Sequence, residues 1–454
     1  MPEPIRFLSV CGMLGYGYPE ESLQAGMRSE PAFLGVDNGS TDPGPYYLGS
    51  GQSFLKPAQI RRDLELALCA ARQQKIPLII GTAGGSGARP HVDAFLEILL
   101  EIARRRDLHF RLAVIYADID TQTVLTALKE NRITPCGPVD DLTADRVLGC
   151  THLVGQMGTE PIIEALEGGA DVVIAGRCCD TAIFASLPIS RGFDPALSLH
   201  LAKIAECGAL CARPAGANDS LICDLAQDHF RVEPANPEKR CSPDSVAAHS
   251  LYEQPVPDRF SEPEGTVDLS ACSFRQAGPR AVEVSGTRLH TSPATTIKLE
   301  GAALRGYRTI TIAGICDPGV IANLDTIETS VRNAVAANLA GSTDPKTYTL
   351  RFLRYGLDAV TQGRWQPTAT TPHEVGLVIE AIAPTQELAD TVLSLARSTA
   401  LHQHFQGRKT TAGNLAFPFS PSDLQAGPVY GFTVYHLMQI GANDSLFPVS
   451  FQEL

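Results

Sequence analysis

Apolar residues follow two alternating patterns through the first part of the chain. Short apolar runs bounded by glycine, such as residues 171–175, predict strands that are buried on both faces. Between such runs, apolar positions recur with helical spacing, as at 57–75 and 91–105. Strands that alternate with helices predict a doubly wound or related α/β domain with a parallel sheet. We assign this domain to residues 1–215.

The pattern changes beyond this domain. Residues 216–310 lose helical periodicity and are rich in proline and β-branched residues, which predicts a β-rich segment with a proline-rich excursion at the surface. Within it and just after it, we expect separate strands at 295–300 and 307–313. Residues 311–454 follow the order strand, helix, strand, strand, helix. This order predicts an α+β domain with a ferredoxin-like β-α-β-β-α arrangement.

Composition and charge restrict the class of protein. Of the 454 residues, 44% are hydrophobic and 19% are charged, as in ordinary globular proteins. The formal net charge of −13 argues against binding to nucleic acid or to an anionic membrane surface. The start of the sequence lacks the basic residues of a signal peptide, so we expect none, and we expect no membrane span because no apolar run is long enough. We therefore expect a cytoplasmic protein with reduced cysteines, and we expect it to form a homo-oligomer.

Charged residues follow two of the predicted strands. In an open α/β sheet, ligands bind outside the carboxyl ends of the strands. Arg177 and Asp180 follow the strand at 171–175 and are interpreted as catalytic; an ion pair that only braces the loop is the alternative. Asp37 ends another strand and is a second catalytic candidate. Ser40 and Asp42, in the loop after it, are candidates for substrate binding, with local turns and a helix cap as the alternative.

A glycine-rich loop follows a third strand and precedes a predicted helix. Thr82, Gly84, Gly85 and Ser86 lie in this loop, and we expect them to contact the substrate. Backbone N–H groups at such a junction can receive an anion. Glycine used only for close packing of helix against strand is the alternative. We expect the loops near residues 40, 84 and 178 to meet along one edge of the sheet.

One further candidate lies near the C terminus. Asn414 stands among prolines and aromatic residues in an irregular stretch. This composition suits either a lid over the substrate or a tightly packed terminal coil. We include Asn414 among the predicted substrate-binding residues.

Three motifs together resemble a known family, the acyclic terpene utilisation AtuA family. They are DNGSTDPGP at 37–45, ALEGGADVVIAGRCCD at 165–180 and NLAFPFSPSDL at 414–424. The glycine loop departs somewhat, because many relatives have an Asn-Ala-Gly-Gly type of sequence there. The resemblance implies a setting in the breakdown of branched terpenoid acids, usually through coenzyme A thioesters, rather than a specific reaction.

These observations favour a catabolic enzyme for a small branched or unsaturated carboxylic acid or its CoA thioester. The chain has no dinucleotide fingerprint, Walker loop, nucleophile elbow or HExxH motif. Carboxylates, an arginine and anion-receiving loops remain, and they suit hydration, dehydration or isomerisation. We expect Asp37 or Asp180 to act as the base and Arg177 to hold a substrate carboxylate. The amides of Gly84 and its neighbours would hold an anionic end or a developing enolate.

Two alternatives belong to other classes of function. The first is a hydrolase of an amide, lactone or thioester, with Ser40 or Ser86 as the hydroxyl or a metal-bound water as the attacking group. The second is a non-catalytic subunit that requires a small partner protein. The cofactor is left open, and a divalent metal bound by Asp37 and Asp42 is one option.

Overall fold

The chain divides into two compact units in the computed structural model, which describes residues 3–216, 218–364, 372–409, 412–441 and 444–454. The first unit contains Met1–Ala303 and Phe432–Leu454, and the second contains Leu304–Gly431. The sequence predicts three regions, at 1–215, 216–310 and 311–454. The contacts instead group residues 216–303 with the preceding α/β region.

Both units are built around β-strands. Among the described residues they are, in chain order, β1 (Ile5–Ser9), β2 (Leu34–Gly39), β3 (Leu78–Gly85), β4 (Arg111–Ile115), β5 (Ile133–Pro135), β6 (His152–Gln156), β7 (Val172–Ala175), β8 (Leu221–Leu225), β9 (His229–Pro234), β10 (Arg259–Glu262), β11 (Gly265–Asp268), β12 (Ser273–Gln276), β13 (Val282–Ser285), β14 (Arg288–Thr291), β15 (Thr296–Ile315), β16 (Thr349–Tyr355), β17 (Val375–Ala383), β18 (Asp423–Gln439) and β19 (Val449–Glu453).

Helices connect many of these strands. In the described parts of the chain the α-helices are α1 (Glu20–Met27), α2 (Pro45–Ser50), α3 (Pro57–Gln74), α4 (Arg89–Arg106), α5 (Thr121–Lys129), α6 (Ala144–Leu148), α7 (Glu160–Glu167), α8 (Asp180–Ser190), α9 (Pro195–Ala205), α10 (Pro243–Ser250), α11 (Pro318–Ala322), α12 (Leu324–Asn338) and α13 (Gln386–His402). None of the helices in the described residues has both the length and the apolar character that a membrane crossing requires.

A ten-stranded mixed sheet forms the centre of the first unit. Its order is β12-β13-β9-β8-β1-β2-β3-β7-β4-β19. The five strands from β1 to β4 in this order are mutually parallel, whereas β8 and its neighbours on one side and β19 on the other run antiparallel. A small antiparallel sheet, β10-β11-β14, belongs to the same unit. The parallel strands place the C-terminal ends of β2, β3 and β7 side by side.

Strand β7 illustrates why this sheet forms. Val172 and Ile174 pack into one hydrophobic cluster with α3 and α4, and Val173 and Ala175 pack into another with α7, α8 and α9. Because successive side chains of a strand point to opposite faces, a run without polar residues requires cover on both faces. The buried strand predicted at 171–175 is confirmed in this respect, and the α/β class is confirmed as a mixed sheet with parallel strands.

The second unit is built on antiparallel pairs. β16 pairs with β17, and β17 pairs with the C-terminal half of β15. Helices α12 and α13 share one apolar cluster with these strands, which includes Val331, Leu377, Ile379 and Val392. The chain order in this unit is β15, α11, α12, β16, β17, α13 and β18, and the sheet order is β16-β17-β15-β18.

The structure adds detail to two local expectations. The strands expected at 295–300 and 307–313 form the single strand β15, because the glycines between them continue the extended chain instead of turning it. The proline-rich excursion contains a helix, α10, that begins with a capping box at Ser242 and buries Val246. Proline at the first turn of a helix is favourable, so a high proline content did not exclude a helix there.

The packing of α8 against the central sheet can be tested at Phe184. Its buried ring lies 5.9 Å from the ring of Phe7, and Gly35 provides the space, because a Cβ there would lie 2.5 Å from the Phe184 ring. We expect Phe184→Ala to lower the free energy of unfolding by about 3–5 kcal/mol, measured by denaturant titration. Tyr16→Ala, at a side chain that is 57% exposed, is the control and should change it by less than about 0.5 kcal/mol. Equal effects of the two substitutions would contradict this packing.

Candidate functional site

Three loops meet at the C-terminal edge of the parallel strands, as expected. The amide of Gly84, at the end of β3, donates to the side-chain carbonyl of Asn38 over 2.6 Å. The amide of Arg177, after β7, donates to the carbonyl of Gly87 over 3.1 Å. The first bond joins the ends of β3 and β2, and the second joins the loops after β3 and β7, so residues far apart in sequence form one polar surface.

Glycine is required where these backbones touch. A Cβ on Gly39 would lie 1.7 Å from the carbonyl oxygen of Gly85, and one on Gly84 would lie 2.0 Å from that of His91. Close packing therefore accounts for Gly84, whose N–H is already bonded within the protein. The first turn of α4 is also occupied, because Asp118 accepts from the amide of Arg89 over 2.8 Å. For Gly85 and Ser86, substrate binding stays a prediction.

Arg177 is held by a buried carboxylate that sequence reasoning missed. Its Nε donates to Glu300 Oε2 over 2.7 Å, and both side chains are at most 5% exposed. Lys298 Nζ lies 2.9 Å from the other oxygen of Glu300, which also accepts from the Thr41 hydroxyl over 2.8 Å. Burial by itself would raise the pKa of Glu300, but Arg177 and Lys298 outweigh it and lower the pKa to about 2. Glu300 is therefore ionised at neutral pH.

Asp37 and Asp180 form a pair of carboxyl groups beside this ion pair. Asp37 is buried and accepts from the amide of Asn38 over 2.9 Å. Burial and then the charge of Asp180 raise the pKa of Asp37 well above its usual range, against the opposing effect of Arg177. Burial also raises the pKa of Asp180, although Arg177 lowers it. The two groups repel each other when both are charged, and such a pair tends to hold one proton.

Asp180 occupies the more open side of this pair. Its side chain is 37% exposed, yet its Oδ1 is buried and accepts no hydrogen bond from the described residues. The nearest cation to that oxygen is Nη1 of Arg177, at 3.9 Å. A buried carboxylate oxygen without a donor is unfavourable unless another molecule supplies one. Asp180 therefore has an acceptor oxygen that no described residue uses.

Thr82 is held in an uncommon backbone conformation next to Asp37. Its φ of +40° lies in the left-handed region, which β-branched residues rarely adopt and which costs about 1–3 kcal/mol. Its hydroxyl lowers the pKa of Asp37, in opposition to burial, and lies 3.8 Å from the sulfur of Cys178. Burial, then Asp37 and Asp180, raise the pKa of Cys178 to about 12. Cys178 is therefore a neutral thiol rather than a nucleophile.

Ser40 and Asp42, at the exposed end of the loop after β2, form hydrogen bonds with each other. The Ser40 hydroxyl donates to the carboxylate of Asp42 over 2.6 Å, and the Asp42 amide donates back to that hydroxyl over 3.1 Å. These are the contacts of a local turn, which was the alternative interpretation of both residues. The described residues contain no group of three or more His, Cys, Asp or Glu arranged to hold a metal ion.

Asn414 lies in the second unit. Its side-chain amide donates to the carbonyls of Ala400 and Gln403 over 3.0 and 2.9 Å, and its backbone N–H donates to that of Leu401 over 2.8 Å. These bonds satisfy carbonyls at the end of α13 that have no partner within the helix. Asn414 thus fastens a helix end, and its predicted contact with a substrate stays a prediction.

A second charged group was also missed by sequence reasoning. Lys203, buried on α9, forms an ion pair with Glu206. The carboxyl group of Glu262 accepts from the Thr181 hydroxyl over 2.7 Å, and burial and then Glu264 raise its pKa to about 8. The sequence carried a signal for Lys203, because it is the one Lys, Arg, Asp or Glu of a largely apolar helical stretch at 195–205.

Glu300 allows a direct test of the ion pair. We expect Glu300→Gln to lower the free energy of unfolding at pH 7 by about 3–5 kcal/mol, because Arg177 and Lys298 lose their common buried partner. The measurement is a denaturant titration. Glu101→Gln is the control; it removes a partner of Arg61 at the surface and should have only a small effect.

Wild type and Glu300→Gln can also be compared as a function of pH. The pKa of Glu300 is about 2 in the folded protein and roughly 4.3 in an unfolded chain. The stabilisation is thus fully present above the unfolded pKa and is lost as the pH falls through the folded pKa. Wild type should therefore lose stability between about pH 4 and pH 2 in a way that Glu300→Gln does not. Parallel curves for the two proteins would contradict the depressed pKa.

The contribution of Asp37 to stability depends on pH with the opposite sign to that of Glu300. The pKa of Asp37 is raised in the folded protein, so its contribution to stability falls as the pH rises from the unfolded pKa of roughly 3.9 through the folded one. We expect Asp37→Asn to gain stability relative to wild type between pH 4 and pH 8, measured as melting temperatures across this range. Asp107→Asn, at a side chain that is 95% exposed, should follow wild type. A relative loss for Asp37→Asn on raising the pH would contradict the raised pKa.

One comparison with known proteins identifies the family. The family model described as "Acyclic terpene utilisation family protein AtuA" matches residues 57–212 and 232–420, which include Arg177, Asp180 and Glu300. No curated protein and no solved structure matches the chain. Because the matched residues make up well over half of the sequence, the chain belongs to the acyclic terpene utilisation AtuA family.

Proposed function

We propose that this chain is a catabolic enzyme that hydrates, dehydrates or isomerises a small branched or unsaturated carboxylic acid or its CoA thioester. Membership of the AtuA family suggests a role in acyclic terpene utilisation, which supports the substrate class. The observation that carries the reaction class is the pair Asp37 and Asp180, two carboxyl groups with raised pKa values beside a buried arginine. Carboxyl groups with strongly perturbed pKa values are frequent among the catalytic acids and bases of enzymes.

One proton shared by two carboxyl groups suits these reactions. Hydration of a carbon–carbon double bond removes one proton from water and adds one to carbon, and isomerisation removes a proton from one carbon and returns it to another. In each case the ionised carboxylate accepts a proton and the protonated one donates a proton, so the pair ends with the same number of protons. Dehydration is the reverse. A raised pKa brings proton exchange of a carboxyl group closer to neutral pH.

Arg177 and Lys298 supply the positive charge for an anionic substrate. Counted with Glu300 alone, before the two aspartates, they leave one positive charge in excess. Because Nε of Arg177 is bonded to Glu300, the Nη edge of the guanidinium is the part proposed to hold a substrate carboxylate or thioester carbonyl. An enolate that develops during the reaction would be stabilised by the same excess charge.

The contacts of the two serines give the hydrolase alternative less support. The hydroxyl of Ser40 donates to Asp42, and that of Ser86 lies 3.5 Å from the carbonyl of Ser40. Neither hydroxyl is bonded to a histidine within the described residues, so a base that would activate it is not in place there.

We also infer that the second unit is a ferredoxin-like sandwich. Support comes from its chain order, in which β15, β16, β17 and β18 are interspersed with α12 and α13. The antiparallel sheet order β18-β15-β17-β16, with both helices in one apolar cluster, is what that arrangement requires. A homo-oligomer and a small partner subunit are proposals that the experiment below includes.

The test is proton exchange in deuterated water. The purified full-length protein is incubated with a panel of branched and α,β-unsaturated acids and their CoA thioesters, and NMR follows deuterium incorporation and hydrated products. We expect Asp37→Asn and Asp180→Asn each to lower the rate by about 10²–10⁴-fold, because each removes one half of the acid–base pair. Light scattering on the same sample measures the assembly.

Asp107→Asn is the matched control and should keep the wild-type rate, because its side chain lies at the surface. Turnover that survives in both site variants would rule out the pair as the catalytic groups. Release of free coenzyme A without deuterium incorporation would favour a hydrolase. Activity that appears only after a small co-purifying protein is added would favour a subunit of a larger enzyme.

A further inference from the structure

A small cavity lies in the first unit, beside the start of α7. Its volume is about 180 Å³, and half of the described residues that line it are apolar. These apolar residues are Pro161, Pro263, Ile297, Ile440, Leu446 and Phe447. An apolar cavity of about 150 Å³ can hold a benzene molecule. The volume therefore suits a ligand with the size of a single aromatic ring.

This cavity is separate from the ion pair of Arg177 and Glu300. On β15, Lys298 and Glu300 are two positions apart and contact each other over 2.9 Å. Successive side chains of a strand point to opposite faces, so Ile297 points away from both. Because Ile297 lines the cavity, the cavity lies on the face of β15 that is turned away from the ion pair. A ligand there would not occupy the position proposed for the substrate.

Glu264 places a negative charge at the cavity without a matching cation. Its Oε1 accepts from the amide and the hydroxyl of Thr159 over 3.0 and 2.6 Å, and both donors are neutral. Its Oε2 is buried and accepts no hydrogen bond from the described residues. Thr159 caps the N terminus of α7, so Glu264 already takes the place that an anionic ligand would seek there. A carboxylate partly removed from water is stabilised further by a positively charged donor.

The other charged residues of the lining do not change this sign. Asp444 is neutralised within the protein, since its Oδ2 lies 2.8 Å from Nη1 of Arg132. Glu160 lies in the first turn of α7 and is exposed. None of the lining residues that the structure describes is Lys, Arg or His. The cavity therefore attracts a cation, and its apolar walls favour an organic cation over a hydrated metal ion.

We propose that this cavity is a second binding site, which takes a small organic cation with an ammonium group and a compact apolar body. The ammonium group would lie against the carboxylate of Glu264, and the apolar body would contact side chains such as Ile297 and Phe447. Charge complementarity sets the sign of the ligand, and the volume of the cavity sets its size. The site does not depend on the reaction proposed above. Benzylammonium has the required charge and about the required size.

The experiment is a ligand-observed NMR titration of the full-length protein with benzylammonium at pH 7. We expect a dissociation constant on the order of 1 mM, which is usual for a ligand of this size. Glu264→Gln should weaken binding by about tenfold or more, because the unpaired charge is lost. Glu160→Gln is the matched control, an exposed acid of the same lining, and should change the affinity by less than about threefold. Benzoate at equal concentration should not displace benzylammonium, because the described lining offers no cation.

Asp180→Asn separates this cavity from the proposed substrate site. It should bind benzylammonium as wild type does, because Asp180 does not line the cavity. Loss of binding in Asp180→Asn would overturn the proposal, as would no binding to wild type or an unchanged affinity in Glu264→Gln. If Glu264→Gln does not fold, Leu446→Trp decides. Its larger side chain at a half-buried lining position should fill the cavity and abolish binding, and an unchanged affinity would contradict the site.

Discussion

The buried carboxylate of Glu300 is the constraint on which the site depends. It lies on β15, 123 residues after Arg177, and it has no exposed surface. Moving a charge of this kind out of water costs several kcal/mol, which only close partners can offset. Arg177, Lys298 and Thr41 supply those partners from the loop after β7, from β15 and from the loop after β2. One carboxylate thus fixes the relative positions of two loops at the edge of the sheet.

The orientation of Arg177 has consequences for Asp37 and Asp180. With its Nε directed at Glu300, the guanidinium offers a single charge to two further carboxyl groups. Burial is the main cause of the raised pKa values of the two aspartates, and the charge of Asp180 adds to it at Asp37. The charge of Arg177 lowers both pKa values but offsets only part of this effect. The arrangement is unfavourable for stability at neutral pH, which is common at functional sites and rare elsewhere.

The sequence predicted the local elements better than the long-range contacts. The apolar run at 171–175 is a strand buried on both faces, and the strand-end rule placed Asp37, Thr82 and Arg177 at one edge, because parallel strands share their direction. Glu300 could not be found in the same way. It lies in a strand of alternating pattern, and nothing local indicates that its side chain contacts loops that come much earlier in the sequence. For the same reason, Arg177 was expected to bind a substrate carboxylate rather than one from the protein.

The glycine loop shows a related limit of local reasoning. Glycines after a strand are compatible with anion binding and with close packing, and only the partners of each N–H distinguish the two. Gly84 donates to Asn38, and the first amide of α4 donates to Asp118, so the protein itself provides these acceptors. Asp180 Oδ1, by contrast, is a buried oxygen of this edge that accepts no hydrogen bond from the part of the chain that the structure describes. A site whose unused hydrogen-bonding capacity lies on an acceptor is suited to receive a donor, such as water or a hydroxyl group. This supports the proposed removal of a proton from a neutral group rather than the binding of a second anion at that position.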